Sequence, residues 1–80
     1  MQVRVLLFAQ YRDAVGTGEL ALDLPAGATA FDAVASLRAS RPTPLIPERP
    51  AVAVNMSYAS LSDVLSEGDE LALLPPVAGG

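Results

Sequence analysis

Residues 65–80 read LSEGDELALLPPVAGG, and this stretch changes character twice. Glu67, Gly68 and Asp69 carry a turn signal. From Glu70 to Leu74 the chain reads as a strand, with Leu71 and Leu73 on one face and Ala72 and Leu74 on the other. Both faces are therefore apolar. Pro75 and Pro76 lack the N–H groups that a ladder needs and favour a polyproline conformation, so they end the strand and stiffen the chain where it leaves. The four residues from Val77 to Gly80 can reach roughly 13 Å, and Gly79 and Gly80 bring no side chain into a narrow cleft or against the last carbonyl. Such a tail is shaped for insertion.

Working back from this strand, AVAVN (Ala51 to Asn55) is a second short strand, and SYASL after it supplies an edge strand. RPTPLIPERP (41–50) holds four prolines in ten residues and must be a loop. Before it, GATAFDAVASLRASRP carries a helix: Thr29 caps it with Asp32 three residues on, and Ala30, Val34 and Leu37 make one apolar stripe with Phe31 at its shoulder. At the other end of the chain, QVRVLLF (Gln2 to Phe8) alternates, with Val3, Val5 and Leu7 opposed to Arg4, Leu6 and Phe8. AQYRDAVG then makes a short helical turn closed by Gly16, and ELALDLP alternates through Leu20, Leu22 and Leu24 to complete a hairpin with the first strand.

Strand, strand, helix, strand, short strand, strand is an α+β layout in which one main helix packs across a sheet of four to five strands. The ubiquitin-like β-grasp, with its mixed sheet, fits this order and size. A single domain over 1–76 followed by a flexible tail, 77–80, is expected. If Val3, Val5, Leu7, Leu71 and Leu73 face the helix, then Leu6, Phe8, Ala72 and Leu74 point away from it. An outer sheet face that is apolar where solvent should favour polar residues marks a partner surface.

Composition narrows the function. The 80 residues include no Cys, His or Lys, so zinc sites, thiol nucleophiles and Ser-His or Cys-His arrangements cannot be built from this chain. Asp69 and Glu70 are neighbours beside a turn glycine and read as a solvated turn, not as an acid–base pair. Gly16 and Gly18 lack the rest of a phosphate-binding pattern. An autonomous enzyme is not expected, nor a metal site. Five basic against nine acidic residues give a net charge of −4, which suits a basic partner surface and disfavours nucleic acid and anionic membranes. No apolar run approaches the roughly 20 residues of a membrane span, and there is no signal pattern, so a cytoplasmic protein is expected.

VLLFAQYRDAVG (5–16), AVAVN (51–55) and LSEGDELALLPPVAGG (65–80) together resemble the small, sulfur-carrying subunit of molybdopterin synthase, in the family's order across nearly the whole chain. The sulfur carrier of thiazole (thiamine) biosynthesis shares GDE, an apolar strand and PPV-x-GG, but lacks the LFA-x-x-R-x-x-x-G front formed here by Leu7, Phe8, Ala9, Arg12 and Gly16. One departure is visible: Leu73 and Leu74 stand where the family commonly has bulky aromatics.

The resemblance implies a definite role for the tail. A ubiquitin-activating-type adenylyltransferase consumes ATP to adenylate Gly80, and the adenylate is exchanged for a thiocarboxylate. The tail (Pro75, Pro76, Val77, Ala78, Gly79) then inserts into the large catalytic subunit, which holds cyclic pyranopterin monophosphate. This chain would bind no cofactor itself. Phe8, Tyr58 and Leu74 match family positions on the partner-facing side, and Arg12 would pair with an acidic partner group. A carrier for thiazole synthesis, a ubiquitin-like protein modifier and a passive β-grasp interaction module remain the alternatives.

Overall fold

The computed structural model describes residues 1–41 and 44–76. Its elements follow in the order β1 (Gln2–Leu7), α1 (Ala9–Val15), β2 (Glu19–Asp23), α2 (Ala30–Ser40), β3 (Ala51–Val54), β4 (Ser57–Ala59) and β5 (Glu70–Leu74). The strands form one sheet in the order β2-β1-β5-β3-β4. Only β1 and β5 run parallel, at the centre of the sheet, with Val5 opposite Leu71 and Leu7 opposite Leu73. The remaining pairings are antiparallel.

This mixed, five-stranded sheet carries the α+β layout expected from the sequence. The alternation in β1 and β5 resolves as read: Val3, Val5, Leu7, Leu71 and Leu73 are all buried and join one core with Val52 of β3 and Leu22 of β2. Ala30, Ala33, Val34 and Leu37 of α2 cover them. The start of α2 is fixed by a capping box: Asp32 N–H donates to Thr29 Oγ1 at 3.2 Å, and Thr29 N–H donates to Asp32 Oδ2 at 2.9 Å. Two orphan donors of the first turn are satisfied reciprocally.

Three features add detail to the expected layout. The helical turn expected after β1 is a seven-residue helix, α1, and β1 and β2 pair antiparallel across it. Gly16 ends it in the left-handed region (φ 92°), where its N–H donates to Arg12 O at 2.8 Å. Tyr11 turns inward from α1 and is almost wholly buried. In the proline-rich loop, Ile46 is fully buried, and Arg38 Nε donates to its carbonyl oxygen at 3.1 Å, which ties the loop to α2. No helix among the described residues is long and apolar enough to cross a membrane.

The two faces of β5 should respond differently to truncation. Leu71 lies between Val5 and Val54 with no exposed surface. Leu71→Ala should lower stability by about 2–5 kcal/mol in urea denaturation, as cavity formation in a packed core does. Leu74 is half-buried on the opposite face, and Leu74→Ala should cost about 1 kcal/mol or less.

Candidate functional site

The outer face of the sheet is graded along its strands. Because β1 and β5 are parallel, their side chains form rows across the sheet, and each row can be followed from one strand end to the other. The first row is polar: Arg4 stands opposite Glu70, bonds its carboxylate, and lies 3.9 Å from Glu19. The hydrogen bond to Glu70, then the attraction of Glu19, raise the Arg4 pKa, so the guanidinium stays charged. The next row is apolar, with Leu6 opposite Ala72, Ala72 opposite Ala53, and Ala53 opposite Tyr58. Beyond it, Leu74 pairs with Ala51, and Phe8 lies just past the end of β1. Apolar character grows toward the end from which Pro75 and Pro76 leave.

Side-chain size turns these rows into an open depression of about 410 Å³. Ala53 and Ala72 form its floor, and Leu6, Phe8, Met56, Tyr58 and Leu74 stand around it, with Glu70 on the polar side. Ala53 is buried without joining the core cluster, since its cover comes from these outer-face neighbours. Phe8 is 46% exposed, Tyr58 89% and Met56 92%. Phe8 keeps an extended backbone (φ −124°, ψ 157°) at the N-cap of α1, so it continues the facing of β1 after the strand has ended.

A second depression of about 400 Å³ flanks the exit itself. Pro75 and Pro76 line it together with Pro47, Pro50 and Arg49, and it shares Tyr58 and Leu74 with the first. Arg49 is held over the Phe31 ring at 5.0 Å, a cation–π contact that places a positive charge beside the exit. Tyr11 reaches the same depression from inside, and its burial raises the phenol pKa, so the hydroxyl keeps its proton.

The β3–β4 hairpin supplies the far wall. Its two-residue turn places Asn55 (φ 49°) and Met56 (φ 71°) both in the left-handed region, as a type I′ turn requires. Asn55 holds the turn against the start of β5: its Nδ2 donates to Asp69 Oδ1 at 3.0 Å, its N–H donates to Glu70 O at 2.8 Å, and its Oδ1 accepts from Glu70 N–H at 3.0 Å.

The structure thus brings Phe8, Tyr58 and Leu74 together around one depression, with Pro75 and Pro76 at its end. Arg12 lies apart from both depressions, its stem over Gly18, where a Cβ would stand 3.2 Å from Arg12 Cδ. Val77, Ala78, Gly79 and Gly80 lie outside the described residues. Met56 was not foreseen, since a residue in a turn belongs to no periodic pattern; the Asn before it was the available signal of a turn. Among the described residues no group of His, Cys, Asp or Glu is arranged to hold a metal ion.

Asn55→Ala should therefore destabilise the fold by about 1–3 kcal/mol, because it leaves Glu70 N–H without its acceptor and puts a Cβ residue of lower tolerance at positive φ. Thermal unfolding of this variant beside Asn55→Gly, which relieves only the backbone term, separates the two contributions.

Comparison with known proteins gives this geometry a family. The model of the ThiS family matches residues 5–80. The molybdopterin synthase sulfur carrier subunit of Chlamydomonas reinhardtii is 35% identical over the full length of both chains. Among solved structures, SAMP1 from Haloferax volcanii superimposes with a TM-score of 0.86 at 29% identity, each chain covered completely. Subunits 1 and 2 of the molybdopterin-converting factor from Helicobacter pylori 26695 have been solved as a protein–protein complex, whose matching chain has a TM-score of 0.70 at 25% identity, again with both chains covered. This chain belongs to the ThiS family of ubiquitin-like β-grasp proteins, and its relatives include the sulfur carrier subunits of molybdopterin synthase.

Proposed function

We propose that this chain is the sulfur carrier of molybdenum cofactor biosynthesis in the cytoplasm, active through its tail and not through a catalytic centre of its own. The observation that carries the reading is the continuity of the apolar outer face with the Pro75–Pro76 exit. One surface docks on a partner while the adjoining tail enters that partner's site.

The chemistry asks little of this chain. The Gly80 carboxylate attacks the α-phosphorus of ATP on an adenylyltransferase of the ubiquitin-activating type, which forms an acyl adenylate and releases pyrophosphate. A sulfur nucleophile then adds to the acyl carbon and expels AMP, leaving a thiocarboxylate. On the large subunit of molybdopterin synthase the thiocarboxylate sulfur replaces an oxygen substituent of cyclic pyranopterin monophosphate, and water then cleaves the acyl–sulfur bond, its oxygen restoring the Gly80 carboxylate. The partners supply ATP binding, acid–base groups and substrate contacts, which accords with a chain that has no Cys and no His. Gly79 keeps the neck of the tail thin, and the chain binds no cofactor.

A second reading draws on the likeness to SAMP1, a small archaeal modifier protein by its name. A protein modifier would use the same adenylation but end in isopeptide conjugates on lysines of other proteins. The intact mass of the protein from its own cells distinguishes the two. Exchange of one oxygen for sulfur marks the carrier, and conjugates mark the modifier.

Deleting Gly80 should abolish pyrophosphate release with the cognate activating enzyme while leaving thermal unfolding unchanged, since the core residues of the described chain all lie before Pro75. Normal release from the truncated chain would exclude this role for Gly80. Phe8→Asp should weaken binding to the large subunit by about 2–4 kcal/mol, because a desolvated contact would then hold an unpaired charge. Unfolding and thiocarboxylate formation should stay unaltered in that variant, since Phe8 is already half exposed.

A further inference from the structure

We propose that Met56 is a partner-contact residue that seats in an apolar socket of the large subunit and extends the docking face past the strands to the tip of the β3–β4 hairpin. This inference rests on the carrier reading above and specifies its interface. Three observations support it.

First, position. The described residues include five large apolar side chains with substantial exposure: Phe8, Leu45, Met56, Tyr58 and Val64. Three of the five, Phe8, Met56 and Tyr58, stand around one depression. Single exposed apolar residues are ordinary on a protein surface, whereas convergence on one site is what an interface produces.

Second, backbone conformation. Met56 occupies a left-handed position (φ 71°) that glycine adopts without steric penalty, and the residue before it is Asn, so Asn-Gly would suit this turn best. A methionine there costs folding stability, while a side chain 92% exposed gains almost nothing from the fold in return. Ala9, another residue with a Cβ at positive φ (47°), directly follows Phe8 in the chain. Conformational strain without benefit to the folded chain points to a role in binding.

Third, rigidity. The amide of Asn55 is bonded to both Asp69 and Glu70, and the hairpin is paired through β3 to β5, so the tip holds a set position relative to Leu74 and the tail exit. An unbranched thioether on a fixed turn can fit an irregular apolar socket with little ordering of the backbone.

The test compares variants of the full chain for thermal unfolding and for affinity to the cognate large subunit, with Phe8→Asp as reference. Met56→Gly should unfold at the same or a higher temperature than the unsubstituted chain, yet bind the large subunit about tenfold or more weakly. Met56→Leu, which restores apolar bulk at the same strained position, should recover most of that affinity. If Met56→Gly binds as tightly as the unsubstituted chain while Phe8→Asp does not, the Met56 contact is wrong and the carrier reading stands. If Phe8→Asp also binds normally, the docking face itself is wrong and both fall. Sedimentation of the free chain covers the remaining occupant: a dimer that Met56→Gly dissociates would mean that the tip pairs two copies, and would overturn the proposal.

Discussion

The parallel pairing of β1 with β5 is the constraint on which the rest of the molecule depends. It joins the first and last strands at the centre of the sheet, so the helix, the edge strands and the loops must all be accommodated around it. Its register aligns Val5 with Leu71 and Leu7 with Leu73, and α2 covers that row. The strict alternation of strands then sends Leu6, Ala72 and Leu74 to the other side. Because the two strands run the same way, both deliver apolar residues to the end where Pro75 and Pro76 depart. A one-residue slip would bury Arg4 and Glu70 and expose the core row. The pairing that stabilises the fold also sets where the apolar outer face meets the Pro75–Pro76 exit.

Much of this was legible in the residues, and the unread part has a common physical origin. Period-two alternation in β1 and β5 correctly assigned the core row, and Thr29 with Asp32 located the start of α2 through its capping box. Which strands pair is a long-range matter that local patterns do not encode; the central β1–β5 contact could be anticipated only through a fold type. Tyr11 and Ile46, both buried, lie in segments too short or too irregular to show a period. Phe8, Tyr58 and Leu74 were expected to share a surface and do line one depression. Met56 escaped because its turn gives no periodic signal, and Arg12 lies over Gly18 away from that depression.

The division of labour follows from what such a small chain can hold. An 80-residue domain has one modest core, and here nearly every large apolar residue on one sheet face is spent on it. The other face stays open, its alanine floor and surrounding large side chains giving relief without a deep cavity. Polar chemistry is confined to the rim, where Arg4, Glu19, Glu70, Asn55 and Asp69 bond to one another. In the proposed carrier role, partners would grip this surface, which adjoins the Pro75–Pro76 exit.

On the proposed reading the outer sheet face, and not the helix side, meets the large subunit. Hydroxyl-radical footprinting of the free chain and of the complex reads this side chain by side chain. Phe8, Met56 and Tyr58 should lose reactivity in the complex, whereas Leu45 and Val64, exposed but outside both depressions, should keep theirs. Protection of Leu45 and Val64 with unchanged reactivity at Phe8 and Tyr58 would exclude the outer sheet face as the contact.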